Sequence, residues 1–99
     1  VNRYLDKAIA LYPHYPEANY EKGLFFLANQ DTENANARFV KAVEHDWNHW
    51  ASHMELAKIA KDNGDWQKAD MHFKIVLDLD PQNNVAKKLL KELQEVSSG

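Results

Sequence analysis

A period of 34 residues constrains this chain more than any other feature, because self-similarity at a fixed interval marks stacked supersecondary units. Aligning residues 16–49 with 50–83 leaves six identical pairs: Glu21/Glu55, Asn29/Asn63, Asp31/Asp65, Ala35/Ala69, Phe39/Phe73 and Asp46/Asp80. Small residues fall on small ones, and a bulky aromatic recurs among them at helical spacing. Run backwards, the register places Leu5 over Phe39 and Ala8 over Ala42, so residues 1–15 read as the second half of a preceding unit. Run forwards, it places Leu90 under Leu56 and Leu93 under Ile59, so residues 84–96 read as a first half.

Local signals divide each unit into two helices. Ala18, Gly23, Phe26 and Leu27 share one side of residues 17–29, and Met54, Leu56, Ala57, Ile59 and Ala60 recur at a spacing near 3.6 over 51–62. A polar break follows each, Asn29-Gln30-Asp31 and Asp62-Asn63-Gly64-Asp65. Asn or Gly suits the left-handed stop there, and Asp suits the next N-cap. Second helices are expected over 32–45 and 66–79, with Ala35, Phe39, Ala42 and Val43, then Ala69, Phe73, Val76 and Leu77, on their inner faces. Pro81 disfavours helix in the residue before it. The last helix, 84–95, is expected to turn Val85, Leu89, Leu90 and Leu93 inward and Lys87, Lys88, Lys91, Glu92 and Glu95 outward, with 97–99 as a tail. Helices this short are marginal alone, so each must be stabilised by its neighbours, which is the logic of a solenoid.

These residues resemble a tetratricopeptide repeat array. Leu56, Ala57, Ala60, Gly64-Asp65-Trp66, Ala69, Phe73, Val76 and Pro81 match the motif in one unit, and Gly23, Phe26, Ala35, Phe39 and Ala42 match it in the other. Lys22 and Trp47 depart from it, standing where the pattern has an apolar residue and Pro. The resemblance implies an all-α, right-handed helix-turn-helix solenoid of about six helices over residues 1–96: a partial repeat at 1–15, full repeats at 16–49 and 50–83, and a capping helix at 84–96. It also implies a non-catalytic module whose first helices line a concave groove for a protein or peptide segment. Carried over residue by residue, the groove comprises Glu17, Tyr20, Glu21, Leu24, Leu27 and Ala28, then Ala51, Met54, Glu55, Lys58, Lys61 and Asp62, with Val85, Lys88 and Leu89 on the last helix.

That surface is mixed. Tyr20, Leu24, Leu27 and Met54 are expected to form an apolar strip beside a basic margin of Lys58, Lys61 and Lys88, suited to a partner with apolar and acidic side chains. Each also has a plainer reading: the apolar residues as contacts to adjoining helices, and Glu21, Glu55, Lys58 and Lys61 as a solvated face. One branch of the family grips a C-terminal carboxylate, but Tyr20, Leu24 and Glu55 stand where that use needs amide and cationic groups. For Trp47 and Trp50, filling the space vacated by Pro is favoured over a binding hot spot.

Composition closes off several other classes. A net charge of −3 argues against binding by phosphate neutralisation, so no nucleic acid partner is expected. No apolar stretch approaches the roughly 20 residues that span a bilayer, so no membrane insertion is expected. Without cysteine there is no thiolate nucleophile, disulfide or thiolate metal site. His45, His49 and His53 are spaced by four, but they straddle the break at Asp46-Trp47-Asn48, leaving only His49 and His53 to share a helix. Two imidazoles are too few for a zinc site. His14 and His72 show no clear partners. The only serines are Ser52, Ser97 and Ser98, and no phosphate loop is present, so no catalytic site, metal or cofactor is expected. Val1 opens inside a helical pattern, so the chain reads as a piece of something longer whose uncovered N-terminal helix offers a homo-oligomer contact. In the competing reading the repeats are a structural stretch of a longer superhelix that mediates self-association or assembly.

Overall fold

The computed structural model describes residues 16–98, and the helix expected over 1–15 lies outside them. The described residues form five α-helices: α1 Pro16–Ala28, α2 Thr32–His45, α3 Trp50–Asp62, α4 Trp66–Leu79 and α5 Asn84–Ser98. No strand occurs among them. Both bounds of α3 lie 34 residues beyond those of α1, and both bounds of α4 lie 34 beyond those of α2. The chain divides into two compact units, residues 1–52 and 53–99, with the boundary in the first turn of α3.

The helix ends follow from local chemistry. Asp31 caps α2 by accepting the Asn34 N–H, and Asp65 caps α4 by accepting the Lys68 N–H, at 3.3 and 3.2 Å. Asn83 does the same for α5, its Oδ1 accepting from the Ala86 N–H at 2.9 Å. α1 stops where Gln30 takes φ of 63°, and α3 stops where Gly64 takes φ of 79°. In each case the next N–H reaches back five residues, Asp31 to the Phe26 carbonyl and Asp65 to the Ala60 carbonyl, both at 2.8 Å. The left-handed residue of the first turn is therefore Gln30, where an Asn or Gly was expected. At the other end of the chain α5 continues to Ser98, past the expected stop, because no Pro or Gly interrupts it before Gly99.

In the first unit α1 packs on α2 around Phe39, which is fully buried beside Ala18, Ala35, Ala42 and Val43. A Cβ added at Gly23 would stand 2.6 Å from Phe39 Cε1, so the absence of a side chain there is what lets the ring lie against α1. Lys22 also finds a role: its ammonium lies 4.8 and 5.2 Å from the Phe25 and Phe26 ring centres, an attractive position over their faces.

In the second unit Met54, Ala57 and Ala60 of α3, Ala69, Phe73 and Val76 of α4, and Ala86 and Leu93 of α5 form one buried cluster, with Leu77, Leu89 and Leu90 packed at its edge. The expected inner face of α5 needs one correction. Val85 is 54% exposed, and it is Ala86, with no exposure, that enters the core. The smaller side chain allows α5 to approach its neighbours closely.

Candidate functional site

On α1, Glu17, Glu21 and Leu24 follow one another at i, i+4 and i+7 and are all exposed, so they lie along a single outward face. Leu27 is half-buried. Tyr20 is also half-buried, its ring centre 5.8 Å from that of Phe39 and 5.1 Å from that of His49. His49 precedes α3 and acts as its cap. Its Nδ1 accepts the Ser52 N–H at 3.3 Å and lies 2.8 Å from Ser52 Oγ. A backbone N–H can only donate, so the imidazole proton sits on Nε2, which donates to Glu17 at 3.2 Å.

The resulting order, carboxylate then imidazole then hydroxyl, is that of a nucleophile relay. Ser52, however, has no exposed surface, and its hydroxyl is held against Nδ1. What the chain of groups does is fix the start of α3 to α1.

Two residues beside this cap stand far from the interior. Trp47 is 58% exposed and Trp50 is 43% exposed. The expectation that they fill space left by the missing Pro is corrected, because the turn closes through backbone and Asp46. The His49 N–H reaches the Asp46 carbonyl at 3.0 Å, and the Asn48 N–H reaches Asp46 Oδ1 at 3.1 Å.

In the second unit the candidate residues separate. Met54 is only 5% exposed and belongs to the core, so it lines no surface. The Glu55 carboxylate, largely buried, accepts from the exposed Lys58 ammonium at 3.4 Å. Lys61 is half-buried, and Lys88 and Val85 are exposed on α5. Trp66, Gln67 and Asp70 of α4 with Leu93 and Gln94 of α5 line an open cleft of about 200 Å³.

One constellation had no counterpart in the sequence reading. His53 and His72, both buried, face each other across α3 and α4 with their Nδ1 atoms 3.1 Å apart. Such a contact needs one ring to donate from Nδ1 and the other to accept there. Burial, then the nearby His53, then Lys68 lower the His72 pKa to about 4. The expected sharing of α3 by His49 and His53 is corrected as well, since His49 precedes the helix. The signal that could have found the pair is the register. Residues 19 and 38, which are 34 positions earlier, are the polar pair Asn19 and Arg38, and Arg38 Nη1 donates to Asn19 Oδ1 at 3.4 Å.

Among the described residues, no three His, Asp or Glu side chains converge in a way that would hold a metal ion. None of the described helices is long and apolar enough to cross a membrane. No protein-family model matches the chain, and comparison with curated proteins finds no match.

Proposed function

We propose that this chain is a non-catalytic protein–protein interaction module of the helical-repeat, tetratricopeptide-like kind, which takes a segment of a partner protein on the outward faces of its first helices. One observation carries the reading. Each unit encloses a single buried Phe among Ala and aliphatic side chains, while Leu24 and Trp50 on the first helices, and Trp47, Trp66, Met71 and Val85 beyond them, are exposed. Large apolar side chains left in water are where partner surfaces gain affinity, and Trp leads among hot-spot residues. On this reading Glu17, Tyr20, Glu21, Leu24 and Leu27 serve the partner in the first unit, and Glu55, Lys58, Lys61 and Lys88 in the second. Met54 supports them from the core.

The test is selection of peptides from a random displayed library on the whole chain, followed by binding to Leu24→Glu and Lys58→Glu variants. Loss of about tenfold or more in affinity, roughly 1.4 kcal/mol, with helicity and melting unchanged, supports the reading. A library that yields no binder, or binding indifferent to both changes, overturns it. A second reading, a structural stretch of a longer repeat array, is favoured by Val85 and Val96. They are eleven residues apart, hence on one side of α5, and both are exposed. Light scattering across concentration separates the two, since a concentration-dependent dimer favours packing between copies.

A further inference from the structure

We propose that α5 is a dimerisation helix, which pairs antiparallel with α5 of a second copy of this chain through the stripe Val85, Leu89, Glu92 and Val96. The inference rests on the second reading above, packing between copies, and names the face and the orientation. Its first support is the stripe itself. At 3.6 residues per turn these four side chains fall within about 60° of one another around α5, and Val85 and Val96 at its two ends are 54% and 56% exposed. Ala86 and Leu93 border it on one side and are buried in the core, with Leu89 packed at the core's edge. Lys88 and Glu95 border it on the other side and are exposed.

The second support is the way charge is laid along the helix. Residues 84–91 hold Lys87, Lys88 and Lys91 and no acid, and residues 92–98 hold Glu92 and Glu95 and no base. That order runs against the helix's own dipole, which favours acid at the start and base at the end, and α5 has no acid in its first turn and no base in its last. An antiparallel neighbour supplies both, setting its carboxylates beside these lysines. A parallel neighbour would set like charge on like.

The third support is self-complementarity. About a two-fold axis through the middle of the stripe, between residues 90 and 91, Val85 meets Val96 of the second copy and the two Leu89 side chains lie near each other. An antiparallel pair also brings the same flank of both helices together. Lys88 therefore comes between Glu92 and Glu95 of the second copy, and the same contact repeats across the axis. Each face is used once, so the assembly closes at two copies. The 15 residues of α5 span about 22 Å, which covers less than the roughly 800 Å² per partner of a stable complex. The expected dissociation constant is accordingly on the order of 0.1 mM. An unrelated segment would have to supply by chance the charge order that a second copy supplies by symmetry.

Sedimentation equilibrium of the whole chain from about 10 μM to about 1 mM tests the pairing, and mixtures of variants test its orientation. The expected result is a reversible monomer–dimer equilibrium, weakened about tenfold or more by Val85→Glu, with helicity and melting of the dilute protein unchanged. Lys88→Glu and Glu92→Lys should each weaken self-association, while an equal mixture of the two should pair again as a heterodimer. The chain has no cysteine, so Val85→Cys and Val96→Cys mixed in a glutathione redox buffer should cross-link to each other. Neither should cross-link to itself, since two Val85 positions lie about 16 Å apart along an antiparallel pair. A mass that stays monomeric up to about 1 mM overturns the inference and the reading beneath it together. A dimer indifferent to Val85→Glu and Lys88→Glu overturns the inference and leaves packing between copies, through another face, standing. Val85→Cys linking to itself as readily as to Val96→Cys overturns the antiparallel orientation. Library-selected peptides whose binding is abolished by Lys88→Glu, on a chain that stays monomeric, would give the stripe to a partner segment and overturn the pairing.

Discussion

His53 Nδ1 lies 3.1 Å from His72 Nδ1 in the interior of the second unit, and 34 residues earlier Arg38 reaches Asn19 at 3.4 Å across the first. Both pairs are nineteen residues apart, the distance in chain that returns a side chain from the second helix of a hairpin to the first helix opposite it. A polar contact is thus placed at the same point of both hairpins, with different chemistry. In the first unit it uses a permanent cation and an amide. In the second it uses two imidazoles, and that choice makes it sensitive to protons.

The first prediction concerns acid. His72 has its pKa lowered from 6.5 to about 4, so between those values the unfolded chain binds the proton and the folded one does not. Stability contributed by the neutral form of His72 is therefore complete above pH 6.5 and lost as pH falls towards 4. The full shift corresponds to about 3 kcal/mol, but Lys68, one of its causes, is exposed and screened by water, so a loss nearer about 2 kcal/mol is expected. Denaturant unfolding at pH 7 and pH 4, compared with a His53→Leu/His72→Leu double variant, measures it. If the variant loses as much stability between those pH values as the wild type does, the pair is not the cause.

A second prediction compares the two helix stops. Gln30 sits at φ 63°, where a side chain costs roughly 1 kcal/mol, and Gly64 sits at 79° where it costs nothing. Gln30→Gly should raise stability by about 0.5–1 kcal/mol. Gly64→Ala should lower it by about 1 kcal/mol. A Cβ at Gly64 would meet no atom within 4 Å, so that loss would be backbone strain alone. Thermal melts of the two variants moving in the same direction would contradict this account.

The helix boundaries were legible in the sequence because their causes are local. Asp31 and Asp65 announce the caps, and Pro81 and the polar breaks announce the stops. What lay beyond the sequence was which flank of a helix its neighbours cover. Met54 and Glu55 are adjacent and point about 100° apart, and only the packing of α4 and α5 decides that Met54 is enclosed while Glu55 meets Lys58. At Val85 and Ala86 the choice turned on size, the smaller residue entering where helices approach most closely. Trp47 was misread because its register position is filled by Pro in the pattern it resembles. The turn instead closes through Asp46 and Asn48 and sends the indole outward. His53 aligns by spacing with His45 and His49 along the chain, and only its register partner Asn19, facing Arg38, marks the polar contact it makes with His72.

The close approach at Gly23 supplies a third prediction. Alanine favours a helix interior over glycine by about 1 kcal/mol, which alone would make Gly23→Ala stabilising. Against that, the new Cβ would stand 2.6 to 2.9 Å from three atoms of the Phe39 ring. The ring is fully buried and rigid, so it cannot turn aside. Overpacking of this kind costs about 1–3 kcal/mol, and the net expectation is a loss of about 1 kcal/mol. Phe39→Leu in the same chain should reduce the penalty of Gly23→Ala, a coupling that a double-mutant cycle reads directly. Additive effects would mean that the helices part without straining the ring.

The cap at His49 is the last test, and it separates a hydrogen-bonding role from an ionic one. His49→Ala removes one of two acceptors of the Ser52 N–H, the His49 carbonyl at 3.1 Å being the other, and takes from the buried Ser52 hydroxyl its partner at 2.8 Å. Loss of a cap and of a buried hydrogen bond together should cost about 2 kcal/mol. Glu17→Gln keeps an oxygen in reach of Nε2 and removes only the charge of a half-exposed group, for which about 0.5 kcal/mol or less is expected. His49→Asn restores a good capping side chain and should recover part of what Ala loses. Melting temperatures in the order wild type, Glu17→Gln, His49→Asn, His49→Ala agree with the capping account. If Glu17→Gln proves as damaging as His49→Ala, the attraction between α1 and the turn, and not the cap, is what holds Trp47 and Trp50 in place.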